Sequence, residues 1–265
     1  INRREIIMKK EIHSHWEEKS NDDEASGTID LIADKLEQKA ILKEVKGNEK
    51  ILEIGCGDGR NSINIYKNYK DTIIDAFDYS QGMVDLATMN AKRNGINNIN
   101  FFVHDVEKLG SIKNSYDLII SKRVLINLET YDKQISAIEN ISKLLNDNGT
   151  FLMCENSLNG LKKINEARVA LSLPEIKMPW HNKYFDESAL EEEIKSLTLT
   201  KKKHFSSLYY FLSRIVNAYD AMAKGVEPKY DAQINRIAQL WDENFIDDFA
   251  QGVLWVWTKR KALGK

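Results

Sequence analysis

Two hydrophobic periods take turns along this chain. Short apolar runs of strand character, "KILEI", "TIIDAF", "NINFFVHD", "YDLIIS" and "TFLMCE", alternate with stretches whose apolar residues recur every three or four positions. Residues 28–46 place Ile29, Ile32, Leu36 and Ala40 on one helical stripe. "RNSINIYKNY" sets Ile63 and Tyr66 along one side of a second helix. "SQGMVDLATMNAKRNG" predicts a helix from an N-cap at Ser80 to a stop at Gly95. Residues 131–145 carry Ile135, Ile138, Ile141 and Leu145 on one face and end at the turn signal "NDNG". A helix from about Asp186 to Leu197, capped by Asp186 or Ser188, precedes sixth and seventh strands in "LTLTKKKHFSS" and "GVLWVWTKRK".

Alternation at this spacing predicts an α/β chain, a doubly wound and mostly parallel sheet with helices on both faces. Such sheets bind ligands beyond the carboxyl ends of their strands. Residues 156–185 and 206–251 break the alternation and are expected to fold over that end as helical cap insertions. The expected organisation is a helical lid over 1–46 and a main domain over 47–265.

Composition narrows the classes. The chain of 265 residues is 42% hydrophobic and 29% charged, enough for one large domain with a sizeable core. A formal net charge of -2 supplies no basic field for nucleic acid. The two cysteines, Cys56 and Cys154, stand far apart and suit neither a disulfide framework nor a metal site. That usage predicts a reducing, cytoplasmic setting. No run approaches the ~20 apolar residues of a membrane span, and the first residues lack the apolar core of a signal peptide.

The candidate chemistry begins at "ILEIGCGDGRNS", residues 51–62, a glycine loop between a strand and a helix. A P-loop needs a lysine that is missing here. A dinucleotide fingerprint needs G-x-G-x-x-G, whereas Gly55, Gly57 and Gly59 give G-x-G-x-G. Asp58 and Glu53 put negative charge where a pyrophosphate would sit, so the loop suits a cationic ligand approached closely by backbone. This stretch resembles motif I of the class I S-adenosylmethionine-dependent methyltransferases. The later blocks agree in order: Asp78 ends the second strand, Asp105 the third, and Ser121 and Lys122 the fourth.

The resemblance implies a seven-stranded Rossmann-like sheet with its last strand antiparallel. It also implies S-adenosylmethionine as cofactor, with S-adenosylhomocysteine as product. In that reading Asp78 takes two ribose hydroxyls, Met83 packs on the adenine, and Asp105 and the Val106 amide read its edge. Glu53, Gly55, Cys56, Gly57 and Gly59 seat the methionine tail, Tyr79 and Ser121 flank the cofactor, and Trp16 closes over it. The ordered blocks span residues 50–155, with a looser likeness over 185–205 and 252–259.

The methyl acceptor must be read from other residues. Position 121 onward reads "SKRV" and lacks the proline pair of nucleic-acid amino methylases. Arg123 and Asn127 follow the fourth strand; His181, Asn182 and Tyr184 lie in "PWHNKYF"; Tyr209 and Arg214 lie in "HFSSLYYFLSRI". His181 is the candidate general base and Arg123 the second candidate catalytic group, with Arg123 and Arg214 able to grip an anion. The expected activity is methylation of an oxygen on a small polar or anionic metabolite, such as a sugar or phosphorylated intermediate. It would be carried out by a bacterial monomer or homodimer without metal, nucleic-acid or membrane partners. N-methylation of a small amine, held by acids such as Glu155 or Asp220, is the alternative within enzymes. A non-catalytic S-adenosylmethionine-binding module is the alternative outside them.

Overall fold

A computed structural model describes residues 3–21, 28–241 and 248–260. Parts of the expected lid (1, 2 and 22–27) and cap (242–247), and the final residues 261–265, lie outside the described residues. Helices α1 (Arg3–Lys19) and α2 (Leu31–Leu42) precede the sheet. Strands and helices then alternate: β1 (Lys50–Ile54), α3 (Arg60–Asn68), β2 (Ile73–Asp78), α4 (Gln81–Arg93), β3 (Ile99–Val103), β4 (Tyr116–Lys122), α5 (Tyr131–Leu144) and β5 (Leu145–Asn156). After β5 come α6 (Leu158–Ala170), α7 (Glu187–Glu193), β6 (Thr198–Lys203), α8 (Ser207–Phe211), α9 (Asn217–Ala223), α10 (Gln233–Trp241) and β7 (Gly252–Thr258).

The seven strands form one sheet in the order β3-β2-β1-β4-β5-β7-β6. β1 to β5 pair in parallel, and β7 runs antiparallel to both β5 and β6. The expected architecture is therefore present, reversed last strand included. The chain leaves β1 for β2 and β3, then returns to its other side at β4. The gap between β1 and β4 is thus the switch point, where a crevice opens at the carboxyl ends.

Alternating strand residues feed two cores. Ile51, Leu118, Leu152 and Cys154 pack under α2 and α6, while Leu52, Ile119, Phe151 and Met153 pack under α5 and α7. On β1 this places Glu53 on the same face as Ile51, toward α3. No described helix is long and apolar enough to cross a membrane.

Two sequence expectations shift, and the edge strand adds a finding of its own. Ile29 lies outside α2 and is 66% exposed, because Asp30 caps the helix by accepting from the Ala33 amide at 3.1 Å. The helix expected over 186–197 stops at Glu193, where Ile194 turns extended. The lysines of β6 occupy the sheet edge, a position that charge protects from further strand pairing, yet they are not simply solvated. Lys201 reaches Glu44, and Lys202 reaches Glu187 and Glu191.

The cap over 206–251 contains a break in helical period. Between α8 and α9, residues Leu212–Val216 form a turn of π-helix. Such turns concentrate at functional positions, and this one carries Arg214.

Candidate active site

A cavity of about 420 Å³ opens beyond the strand ends, between α1, α2 and the cap. Its floor is the glycine loop, and each glycine has its own reason. Gly55 has φ +65°, and a Cβ there would lie 2.4 Å from Val124. Gly59 has φ +77° and caps α3, where a Cβ would meet Ala87 at 2.9 Å, so it brings α3 against α4. Gly57 has φ +53° and no protein atom within 4 Å of where a Cβ would be, so its backbone faces open space.

The two acids of the loop are engaged elsewhere. Glu53 is buried behind the loop, accepting from Asn61 Nδ2 at 2.9 Å and from the Ser62 hydroxyl. Asp58 accepts from Arg60 Nε at 3.0 and 2.8 Å. Asp58 lines the cavity, and Glu53 and Gly59 do not.

Asp78 is fixed by backbone amides. One carboxylate oxygen accepts from Gly57 at 2.9 Å and the other from Ser80 at 3.0 Å. Burial pushes its carboxyl up and these amides pull it back. A carboxylate offers about four lone-pair sites, so acceptor capacity remains for a ligand. Met83, Tyr79, Asp105 and Val106 line the cavity beside it. Asp105 accepts from the Glu107 amide at 3.0 Å and from Lys9 of α1 at 2.9 Å. Helix α1 is held there a second time, because Glu17 accepts from the first amides of α4 at Gln81 and Gly82, at 2.9 and 3.3 Å. Trp16, on the same helix, lines the cavity. Cys56 lines it as well, but burial pushes its thiol well above the usual range, which makes it a poor nucleophile.

At the end of β4 the backbone turns sharply. Arg123 has φ +56°, a left-handed conformation costing ~1–3 kcal/mol in a side-chain-bearing residue. Glu155, at the end of β5, over-determines that turn. It accepts from the Ser121 hydroxyl at 2.9 Å and from the amides of Val124, Leu125 and Ile126 at 3.1, 3.0 and 3.4 Å. Ser121 and Glu155 therefore lie under the turn and do not line the cavity. Burial pushes the Glu155 carboxyl up to about 7 despite those four donors.

A pH signature follows. Because the folded pKa lies above the model-peptide value of 4.5, protonation of Glu155 favours the fold. Its contribution is complete below pH ~4.5 and is lost as the pH rises through 7, about 3 kcal/mol in all. Urea unfolding at pH 5 and pH 8 should show a smaller stability loss on raising the pH for Glu155→Gln than for wild type. An unchanged difference would show that Glu155 does not titrate in that window.

The far end of the cavity is built from ion pairs. Asp30, Asp34 and Glu37 stand on one face of α2 and each meets a cation from another element. Arg214 Nη2 reaches Asp30 at 2.5 Å. Lys122 and Arg60 reach Asp34, the latter at 3.3 Å. Arg123 Nε lies 3.1 Å from Glu37. Burial disfavours the Asp34 carboxylate, but Lys122, Arg123 and Arg60 hold it well below the usual range. The same burial raises Glu37, which Arg123 and Lys122 only partly offset. Arg123 Nε has no hydrogen-bond partner among the described residues; the guanidinium's ion-pair contacts among them are with Glu37 and, at 3.6 Å, Asp34.

Arg214 sits among the rings of Tyr209, Tyr210 and Tyr230, 4.8–5.7 Å from their centroids. Tyr209 does not line the cavity; its hydroxyl donates to Asp30 at 2.5 Å. Arg168, from α6, donates to the Arg214 carbonyl and to that of Pro174. His181, Asn182 and Tyr184 line the cavity on a loop tied to the turn after β4, where the Lys183 amide donates to Ile126 at 2.6 Å. Burial and neighbouring His15 push the His181 imidazole down to about 4. Its ring packs 4.8–5.9 Å from those of His15, Trp16 and Trp180.

The cavity thus gathers most of the expected residues: Trp16, Gly55, Cys56, Gly57, Asp78, Tyr79, Met83, Asp105, Val106, Arg123, Asn127, His181, Asn182, Tyr184 and Arg214. It leaves Glu53, Gly59, Ser121 and Tyr209 behind its walls. Asp30, Asp34, Glu37, Lys9 and Gln251 also line it and were not singled out from the sequence. A signal existed for α2: its acids recur at helical spacing on a face beside the apolar stripe, a pattern that otherwise reads as a solvated face. Glu155 and Asp220, the acids considered for an amine acceptor, are respectively under the turn and exposed beside Lys224.

Residues 45–208 match the family described as "Methyltransferase domain". A malonyl-[acyl-carrier protein] O-methyltransferase of Ilyobacter polytropus is 35% identical over 148 residues, covering 55% of this chain and 51% of that protein. The chain spans about half or less of the first curated relatives it matches. Among solved structures, the N-methyltransferase NodS of Bradyrhizobium japonicum, in complex with S-adenosylhomocysteine, aligns with TM-score 0.59 at 15% identity, covering 94% of this chain and 99% of that one. An S-adenosylmethionine-dependent methyltransferase of Clostridium acetobutylicum aligns with TM-score 0.54 at 15% identity, covering 86% and 92%. At such identities the two structures speak for the fold alone.

Proposed function

Because the chain belongs to the methyltransferase-domain family, we propose that it methylates a carboxylate oxygen of a small anionic acceptor. It is a class I, S-adenosylmethionine-dependent methyltransferase; the identity of the acceptor is what is proposed. The residues fit the cofactor: Gly57 leaves open backbone on the cavity floor, and Asp78 keeps acceptor capacity at the end of β2. In this reading Asp78 takes the ribose hydroxyls, Asp105 and Val106 meet the adenine edge, and Gly55, Cys56 and Gly57 run along the methionine tail. When bound, the cofactor supplies a methyl group already activated by its sulfonium.

What remains for the protein is to position the acceptor and exclude water. The observation that carries the proposal is Arg123, which lines the cavity beside the glycine loop with its Nε lacking a hydrogen-bond partner among the described residues. A guanidinium fork binds a carboxylate bidentately. Arg214 approaches the same cavity from the cap. A carboxylate oxygen is already nucleophilic, so no base is required. His181, with its imidazole at about 4, is neutral at physiological pH and serves with Trp16 as a wall against water. The O-methyltransferase named for a malonyl group among the relatives supports a carboxyl-bearing acceptor.

His181→Asn should accordingly lower kcat/KM by less than about tenfold and leave the shape of its pH profile between 6 and 9 unchanged. Loss of a pH limb in that variant would restore His181 as base. The reaction itself is tested by offering a carboxylate pool with labelled S-adenosylmethionine. The product should be a methyl ester that mild alkali cleaves, and an alkali-stable product overturns the proposal. A second reading, N-methylation of an amine, is favoured by Asp30, Asp34 and Glu37 in the same cavity; an alkali-stable methylamine is its signature.

A further inference from the structure

At the acceptor end, two buried polar atoms face one another without bonding. Glu37 is 3% exposed and lines the cavity. Its Oε2 lies 3.1 Å from Arg123 Nε and 3.7 Å from Lys122 Nζ. Neither Glu37 Oε2 nor Arg123 Nε has a hydrogen-bond partner among the described residues. The contact supplies Coulomb attraction, but its angle supplies no directional bond. A buried donor or acceptor left unmade is costly and rare, and here one of each stands at a single cavity wall. Asn182, 8% exposed and lining the same cavity, adds a third: its Oδ1 likewise has no hydrogen-bond partner among the described residues.

One ligand shape satisfies both members of the pair. It presents acceptor oxygens to Arg123 and an N–H or O–H to Glu37. A plain dicarboxylate does not: it would complete Arg123 and set a second anion against Glu37. We infer that the acceptor carries a hydroxyl or an ammonium beside its anionic group, and that Glu37 is the specificity-determining residue that reads it. This deepens the anionic-acceptor reading and rests on it.

The test uses three dicarboxylates of one skeleton, succinate, malate and aspartate, titrated calorimetrically into the protein saturated with S-adenosylhomocysteine. Malate or aspartate should bind at least about tenfold more tightly than succinate. Which of the two leads distinguishes a hydroxyl from an ammonium. In Glu37→Gln and Glu37→Leu that advantage should shrink to within about twofold while S-adenosylhomocysteine binding persists. Should the leucine variant fail to bind S-adenosylhomocysteine, the isosteric glutamine variant and the wild-type comparison decide. Equal binding of all three by wild type, or an advantage that survives in Glu37→Gln, overturns the role of Glu37 and leaves the anionic reading standing. Binding of none of the three overturns both.

Discussion

Asp78→Ala should weaken S-adenosylhomocysteine binding by at least about a hundredfold. The variant removes a carboxylate that sits at the end of β2 with its orientation set by the Gly57 and Ser80 amides. Hydrogen bonds to a charged partner are worth ~1.5–3 kcal/mol each, and a ribose offers two hydroxyls. The loss is compounded because the Gly57 amide gives up its acceptor, loosening the loop that lies under the ligand. Calorimetry of wild type and variant decides it. Binding within threefold of wild type would mean that Asp78 only braces the loop and that the nucleoside is held elsewhere.

The second large effect belongs to Arg123. Arg123→Met should reduce kcat/KM by about a hundred- to a thousandfold, with S-adenosylhomocysteine affinity changed less than threefold. The methionine keeps most of the apolar stem and removes the fork. It also strands Glu37, a buried carboxylate whose cationic partners are then reduced to Lys122. Arg123→Lys should recover little, because an ammonium cannot offer two parallel N–H groups from a rigid plane. Near-wild-type kcat/KM in the lysine variant would reject bidentate capture of the acceptor.

The parallel core of the sheet was legible from alternation, since its central strands β1, β4 and β5 carry apolar runs buried on both faces, whereas the reversal of the last strand was expected only from the family resemblance. The cofactor end was legible because its groups are local in sequence: Gly55, Gly57 and Asp78 follow directly from strand ends. The acceptor end was less so. Asp30, Asp34 and Glu37 look solvated until Arg214, Lys122 and Arg123 arrive from distant elements, and no local pattern announces that meeting. Glu53 misled in the opposite direction. Its place in the motif suggested contact with the ligand, but strand alternation turns it toward the first turn of α3. α2 and the cap both lie at least partly outside residues 45–208, so likeness to the family informs the cofactor half far better than the acceptor half.

The π-turn at Leu212–Val216 has one more consequence. A wider turn amounts to a one-residue insertion in an otherwise continuous helix. Deleting Ser213 would return the segment to ordinary α-helical register; the side chains beyond it would keep their facing, because the wider turn absorbs the extra residue, and the displacement would fall on Arg214 within the turn. The shortened helix would be unstrained, yet Arg214 would lose its aim at Asp30, while Tyr209, upstream in α8, would keep its own. The aim of this cationic end is therefore written in the length of the chain as much as in its chemistry. Within such a family, a single-codon insertion or deletion is a path by which acceptor choice can change while the cofactor machinery stays intact.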